Sequence, residues 1–218
     1  MYRKWELLRA AASLVVPNRC PFCDKAIGAF EYMHEECLER LPRITERVAI
    51  PKNIEELYAC FRYDGAARDA VLRLKEGCYI HAAQAFAPIM LEVIGGAAKG
   101  ADMITAVPSN LYSKLKRGYV PAEAIAKEIS RRCGVRFAVT LSTDKRSEQK
   151  RLNARERAEN VRGAFELVDK ELIQDKNILL VDDICTTGST LSACAEVLKE
   201  NGAARVSGAV FAVTPLER

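Results

Sequence analysis

Apolar residues in this chain fall into short continuous runs separated by stripes at helical spacing. Ala59 to Tyr63, Asp102 to Val107, Val135 to Leu141, Ala164 to Val168, Asn177 to Val181 and Val206 to Val213 read as strands. Gly65 opens a helix through Glu76, with Ala66, Ala70, Val71 and Leu74 on one face, and a second helix runs from His81 to Ile94 and stops at Gly95-Gly96. Pro121 suits the first residue of a helix that reaches Cys133 and is capped by Gly134, with Ala122, Ile125, Ala126 and Ile129 repeating along it. Ser189 to Glu200 places Leu191, Cys194, Ala195 and Leu198 on one face, and Gly202 ends that helix. Strands alternating with helices predict a parallel sheet flanked by helices on both faces. The first 16 residues look helical, residues 17–42 are cysteine-rich and short of core residues, and Pro42 and Pro51 bracket a linker-like stretch. The expected division is an N-terminal helix and zinc-ribbon-like module over residues 1–50 and a main domain over residues 51–218.

The apolar run Ile178 to Val181 ends on two adjacent acids, Asp182 and Asp183. A turn rich in hydroxyls and glycine follows (Cys185, Thr186, Thr187, Gly188, Ser189, Thr190), and then an amphipathic helix. In open α/β sheets ligands bind beyond the carboxyl ends of the strands. Two carboxylates inside a core would repel and cost much to bury. At a strand end they can accept hydrogen bonds from vicinal hydroxyls and draw in Mg²⁺. The turn offers consecutive N–H donors at a helix N-terminus, a place that suits phosphate. The pattern predicts a sugar-phosphate site.

Composition adds little to this picture. The 218 residues are 49% apolar and 28% charged, ordinary values for a globular chain, and the net charge of +4 permits an anionic partner without demanding one. No stretch approaches the roughly 18–20 apolar residues that span a bilayer. The apolar segment Leu7 to Val16 is interrupted by Arg9, follows Glu6, and has no small-residue cleavage site after it, so it reads as an amphipathic helix and the expected location is cytoplasmic.

Cysteine usage is more telling. Cys20-Pro21-Phe22-Cys23 is followed, after ten residues, by His34-Glu35-Glu36-Cys37. Two close pairs of borderline-soft ligands suit tetrahedral zinc, and with all positions filled by protein the site should be structural. A helix over Glu31 to Arg40 would set His34 and Cys37 one turn apart. Cys60 is the rival fourth ligand. Cys78, Cys133 and Cys194 read as small core residues, and His81 as an ordinary helix histidine.

The segment from Ile178 to Thr190 resembles the phosphoribosyl-pyrophosphate (PRPP) binding motif of type I phosphoribosyltransferases. Three further stretches resemble one branch of that superfamily, the competence-associated ComF (ComFC) proteins: Val107-Pro108 followed by Lys116-Arg117-Gly118-Tyr119; the series Lys145-Arg146, Gln149, Leu152, Arg155, Asn160 and Gly163-Ala164-Phe165; and the N-terminal cysteine cluster. The chain departs from that family in having Val120-Pro121 after the aromatic residue where Asn-Gln is usual, and His34 in the third of four metal positions usually held by cysteine.

The resemblance implies a type I phosphoribosyltransferase core, with a sheet of about five strands and a small N-terminal zinc-binding module on its lid side. It implies that Asp182 and Asp183 bind the ribose hydroxyls and that Cys185 to Thr190 bind the 5′-phosphate. Pro108 and Ser109 would lie in the pyrophosphate loop, with Lys114, Lys116 and above all Arg117 near diphosphate oxygens, since guanidinium pairs with phosphate in bidentate fashion. The basic stretch from Lys145 to Arg157 would be a loop that closes over PRPP and excludes water. The implied activity is transfer of a phosphoribosyl group to a nitrogenous acceptor with release of pyrophosphate, assisted by Mg²⁺ and linked to DNA uptake. No residue presents itself as an obligatory general base. The alternative is a non-catalytic protein binding PRPP or single-stranded DNA, in contact with competence or DNA-processing proteins.

Overall fold

The computed structural model describes residues 18–76, 79–143 and 164–215. The expected N-terminal helix, Cys78 and the basic loop with Lys145 and Arg146 lie outside them. At the centre are four parallel strands in the order β1-β6-β5-β2: β1 (Leu57–Arg62), β2 (Met103–Ala106), β5 (Asn177–Cys185) and β6 (Arg205–Val213). The run Ile178 to Val181 is buried along its length because both faces of the sheet are covered. Leu179 and Val181 join the core of one face, and Ile178 and Leu180 join the core of the other. On the first face pack α2 (Gly65–Lys75), α3 (Ala82–Ile94) and α6 (Pro121–Cys133); on the second packs α7 (Ser189–Glu200). Its buried residues include Leu191, Cys194, Ala195 and Leu198, the stripe read from the sequence.

Helix ends follow their signals. Pro121 takes the first turn of α6, and Gly134 closes it at φ 79°, a left-handed conformation that costs glycine little. Pro88 lies inside α3 and has no N–H to offer Gln84, four residues earlier; Arg132 Nη2 reaches that carbonyl at 3.5 Å.

Three features differ from the sequence reading. The expected strand Val135 to Leu141 does not form. It makes a single parallel bridge, Phe137 to Ile104, and the chain then pairs Leu141–Thr143 (β3) antiparallel with Phe165–Leu167 (β4), so the described parallel sheet has four strands rather than about five. Val139 stays 45% exposed at this edge, while the buried hydroxyls of Thr105 and Thr140, 2.8 Å apart, fix the segment instead. Two short helices were not expected, α4 (Gly96–Gly100) and α5 (Leu111–Arg117). The Asn110 side chain accepts the Ser113 N–H at 2.8 Å and Gly118 takes φ 78° after the last turn, so the caps of α5 were present in the sequence.

The linker-like stretch is also packed. Pro51 and Ile54 are buried, and Ile44 and Val48 rest on the second core. The cysteine-rich segment is seated on the first core: Phe22 stacks on Phe86 and Phe211 with ring centroids 6.1 and 6.2 Å away, and those two rings stack on each other at 3.7 Å. Among the described residues no helix is long and apolar enough to cross a membrane.

Candidate active site and metal centre

β2 and β5 are neighbours whose continuations diverge. From β2 the chain passes through α6 to Phe137 on the outer side of β2; from β5 it passes through α7 to β6 on the opposite side. Such a switch point opens a crevice at the carboxyl ends of the two strands. Ala106 is level with Val181, so Pro108 and Ser109 stand beside Asp182 and Asp183.

The acids belong to the strand itself, which continues to Cys185. Side chains alternate along a strand, so the pair divides between the two faces. Asp183 turns towards α2, where its Oδ1 meets Lys75 Nζ at 2.8 Å. Asp182 folds back to accept the Asp183 amide at 2.8 Å. Burial, then the charge of Asp183, pushes the Asp182 carboxyl well above its ordinary range. Burial also raises Asp183, against the opposing effect of Lys75 and, more weakly, Arg117. Lys75 was missed in the sequence, where it reads as one of the basic residues in the last turn of a helix.

Beyond β5, Gly188 precedes α7 at φ 77°, and a Cβ there would lie 2.8 Å from Cγ of Pro51. The turn thus needs glycine twice, for its backbone and for the proline ring behind it. The Thr187 and Ser189 hydroxyls are 2.9 Å apart at the exposed mouth, and the first turn of α7, with Thr190, presents backbone donors that a helix cannot satisfy internally. Thr186 is exposed. Cys185 is set apart from its neighbours. It is buried in the second core, and burial with the nearby Asp182 charge pushes its thiol up to about 11.

Of the basic run only Arg117 turns inward. Its Nη2 donates to Ser109 Oγ at 2.8 Å, and its Nε is buried without a hydrogen bond among the described residues. Lys114 and Lys116 are exposed. Val120 and Pro121 are buried at the start of α6, so the polar pair of the ComF pattern is replaced by packing.

Cys20, Cys23, His34 and Cys37 bring their ligand atoms within 4.8 Å of one another. Cys20 Sγ and Cys37 Sγ are 3.8 Å apart, and Cys23 Sγ is 3.2 Å from His34 Nδ1. Zinc–sulfur bonds of about 2.3 Å at tetrahedral angles set sulfurs roughly 3.8 Å apart, so these residues fit a structural zinc ion. The helix here is shorter than expected, only Glu35–Glu39 (α1), with His34 just before it; the Cys37 N–H to His34 carbonyl bond of 3.1 Å keeps the two ligands on one turn. Cys60 is buried in β1 and lies outside the cluster. Arg73 Nη1 ties the knuckle to α2, donating to the carbonyls of Pro21 at 2.7 Å and Phe22 at 3.1 Å.

Residues 113–217 match the phosphoribosyl transferase domain. The chain is 34% identical over 108 residues to the DNA utilization protein YhgH of Escherichia coli K12, covering 48% of this chain and 46% of that protein. It is 30% identical over 104 residues to competence protein F of Haemophilus influenzae, covering 46% and 45% respectively. The chain thus spans about half the length of the curated relatives it matches. A solved structure that aligns with it is the allosteric regulatory enzyme of purine biosynthesis, at 22% identity and TM-score 0.40, over 59% of this chain and 25% of that one. The chain therefore carries a phosphoribosyltransferase domain. Its likeness to a DNA utilization protein and a competence protein supports a place in the ComF family within that superfamily.

Two outcomes follow from the site. Zinc measured by elemental analysis should approach one equivalent, and Cys20→Ser with Cys37→Ser should lose it along with the fold of residues 18–42, since a structural zinc contributes on the order of 10 kcal/mol; full helicity and melting temperature without metal would contradict this. Asp182 has a raised pKa in the folded chain, so its ionisation at neutral pH opposes folding. That penalty disappears once pH falls below the unfolded carboxylate value of about 3.9. Asp182→Asn should therefore raise the melting temperature at pH 7, with the gain shrinking towards pH 4; an unchanged or lower melting temperature at pH 7 counts against the buried, proton-favouring environment.

Proposed function

We propose that this protein binds PRPP and transfers its phosphoribosyl group to a nitrogenous acceptor with release of pyrophosphate. The observation that carries the reading is the meeting, at the carboxyl ends of β2 and β5, of the Asp182/Asp183 strand end, the Gly188 turn at the start of α7, and Ser109 with Arg117 from the neighbouring strand's loop. Each part suits one portion of the ligand. The acids accept the ribose hydroxyls, the turn from Thr186 to Thr190 takes the 5′-phosphate, and Pro108, Ser109 and Arg117 face the diphosphate, with Lys145 and Arg146 of the basic loop completing the set. In the reaction the bond from C1 to the diphosphate oxygen breaks, a C1–N bond forms, and the acceptor nitrogen loses a proton to solvent. Such a site works by positioning and charge complementarity, with no covalent nucleophile required. Mg²⁺ bound with the diphosphate would neutralise its charge as it leaves. The names of the relatives support a role in competence and the use of DNA, and we place that role in the cytoplasm.

A second reading is supported by α5. Tyr112 and Leu115 are 71% and 73% exposed, and the exposed Lys114 and Lys116 flank Leu115. Aromatic faces beside lysines suit single-stranded nucleic acid, with bases stacked and phosphates neutralised. On this reading the protein handles single-stranded DNA alongside competence proteins.

Calorimetry with Mg²⁺-PRPP should show binding to the wild type, and Asp183→Ala should weaken it by about tenfold or more, the scale of a lost charge-assisted hydrogen bond. Equal affinity in both proteins sinks the phosphoribosyl reading. For the second, Lys114→Ala with Lys116→Ala should weaken binding of single-stranded oligonucleotides and flatten its salt dependence by up to about 1.4 in slope, given ~0.7 per phosphate contact; an unaltered slope in a gel-shift series removes α5 from the interface.

A further inference from the structure

We infer that Lys75 is a positioning residue of the phosphoribosyl site: clamped through the last turn of α2, its ammonium holds the Asp183 carboxylate in the orientation that grips the ribose. The inference rests on the phosphoribosyl reading above and deepens it. Lys75 lies outside residues 113–217, so the domain match does not assign it a role.

The geometry begins with burial. Asp183 is only 4% exposed, so water cannot orient its carboxylate, and a partner must. The charged groups that face it are Lys75 from α2, Arg117 from α5 and Asp182 from its own strand. Of these charged groups among the described residues, Lys75 is the one in contact, at 2.8 Å, and the Ile184 backbone N–H adds a weaker donor. The Arg117 guanidinium is engaged by Ser109, on the side where the diphosphate would lie.

A lysine side chain is long and mobile, and holding it costs rotamer entropy. Here the backbone that carries it is tied on two sides. Arg73 Nη1 donates to the carbonyls of Pro21 and Phe22 in the Cys20–Cys23 knuckle. The Tyr119 hydroxyl donates to the Leu74 carbonyl, from the segment that follows Arg117 and Gly118. The Glu76 N–H closes the turn on the Arg73 carbonyl at 3.0 Å. Three consecutive residues, Arg73, Leu74 and Lys75, thus join the cysteine knuckle, the loop after β2 and the acid of β5. That arrangement exceeds what an exposed salt bridge needs. It fixes the partly exposed end of a pair whose other end, Asp183, is buried at the end of β5.

The test uses the full-length protein and three probes: inorganic phosphate, ribose 5-phosphate and Mg²⁺-PRPP, titrated by NMR or calorimetry. Lys75→Met should lower ribose 5-phosphate and PRPP affinity by the same factor, about tenfold or more, and leave inorganic phosphate within about twofold, because phosphate alone occupies the turn before α7. Lys75→Arg should recover most of the loss. If Lys75→Met does not fold, Lys75→Gln, neutral but still a donor, takes its place with the same expectation. Wild-type affinity for ribose 5-phosphate in the folded variant overturns the role of Lys75. A fall for PRPP alone also overturns it, since Lys75 would then act on the diphosphate. An equal fall for all three probes reduces Lys75 to a structural residue and overturns it as well. Failure of wild-type protein to bind either sugar phosphate rejects the phosphoribosyl reading itself, a result distinguishable from the others.

Discussion

Burial of β5 on both faces is the constraint from which the rest of this structure follows. Ile178 to Val181 are covered by α7 on one side and by the three-helix layer on the other, and each such side chain stabilises the fold by about 1.5–3 kcal/mol. The layers end where the strand does, and there the chain places two carboxylates. Burial, and for Asp182 the neighbouring charge, pushes both carboxyls above their ordinary range, so these are positions a free carboxylate would avoid. The apolar run holds them there. A site whose charges are partly desolvated interacts more strongly with an incoming polar ligand than the same groups would in water.

The cysteine-rich segment extends the same logic. It has little core of its own, yet Phe22 enters the aromatic stack formed by Phe86 and Phe211, and Arg73 grips two of its carbonyls. The geometry of the Cys20, Cys23, His34 and Cys37 cluster suits zinc, so metal binding and docking onto the main core reinforce one another. Because Arg73 and Lys75 sit in one turn of α2, the knuckle and the acid pair share a mechanical support.

Much of this was legible along the chain where the cause is local. Pro121 and Gly134 mark the ends of α6 through backbone preferences that need no tertiary partner. The stripe on α7 predicts its buried face because a helix against a sheet must bury one side. The paired acids and the hydroxyl-rich turn stand out because two adjacent carboxylates at the end of a buried run are costly unless a partner meets them. The strand expected over Val135 to Leu141 failed for the complementary reason. An apolar run at a sheet edge is held by whatever its neighbours offer, and here the Thr105–Thr140 pair and a turn into β3 replaced a ladder. Cys60 was an open alternative in the sequence, and only its burial in β1 separates it from the metal ligands.

What the sequence determined by itself was the class of fold, the place of the hydroxyl- and glycine-rich turn after β5 and the close pairing of Cys20 with Cys23 and of His34 with Cys37, because each is written in local pattern and spacing. The tertiary structure alone decided which distant groups meet there. Pro51 backs Gly188, Lys75 reaches Asp183, and Arg117 turns inward while Lys114 and Lys116 stay in solvent. These contacts join residues scores of positions apart or distinguish neighbours of the same chemistry. Local preference carries no record of either, since both are set by how layers stack and where a buried charge can find its partner.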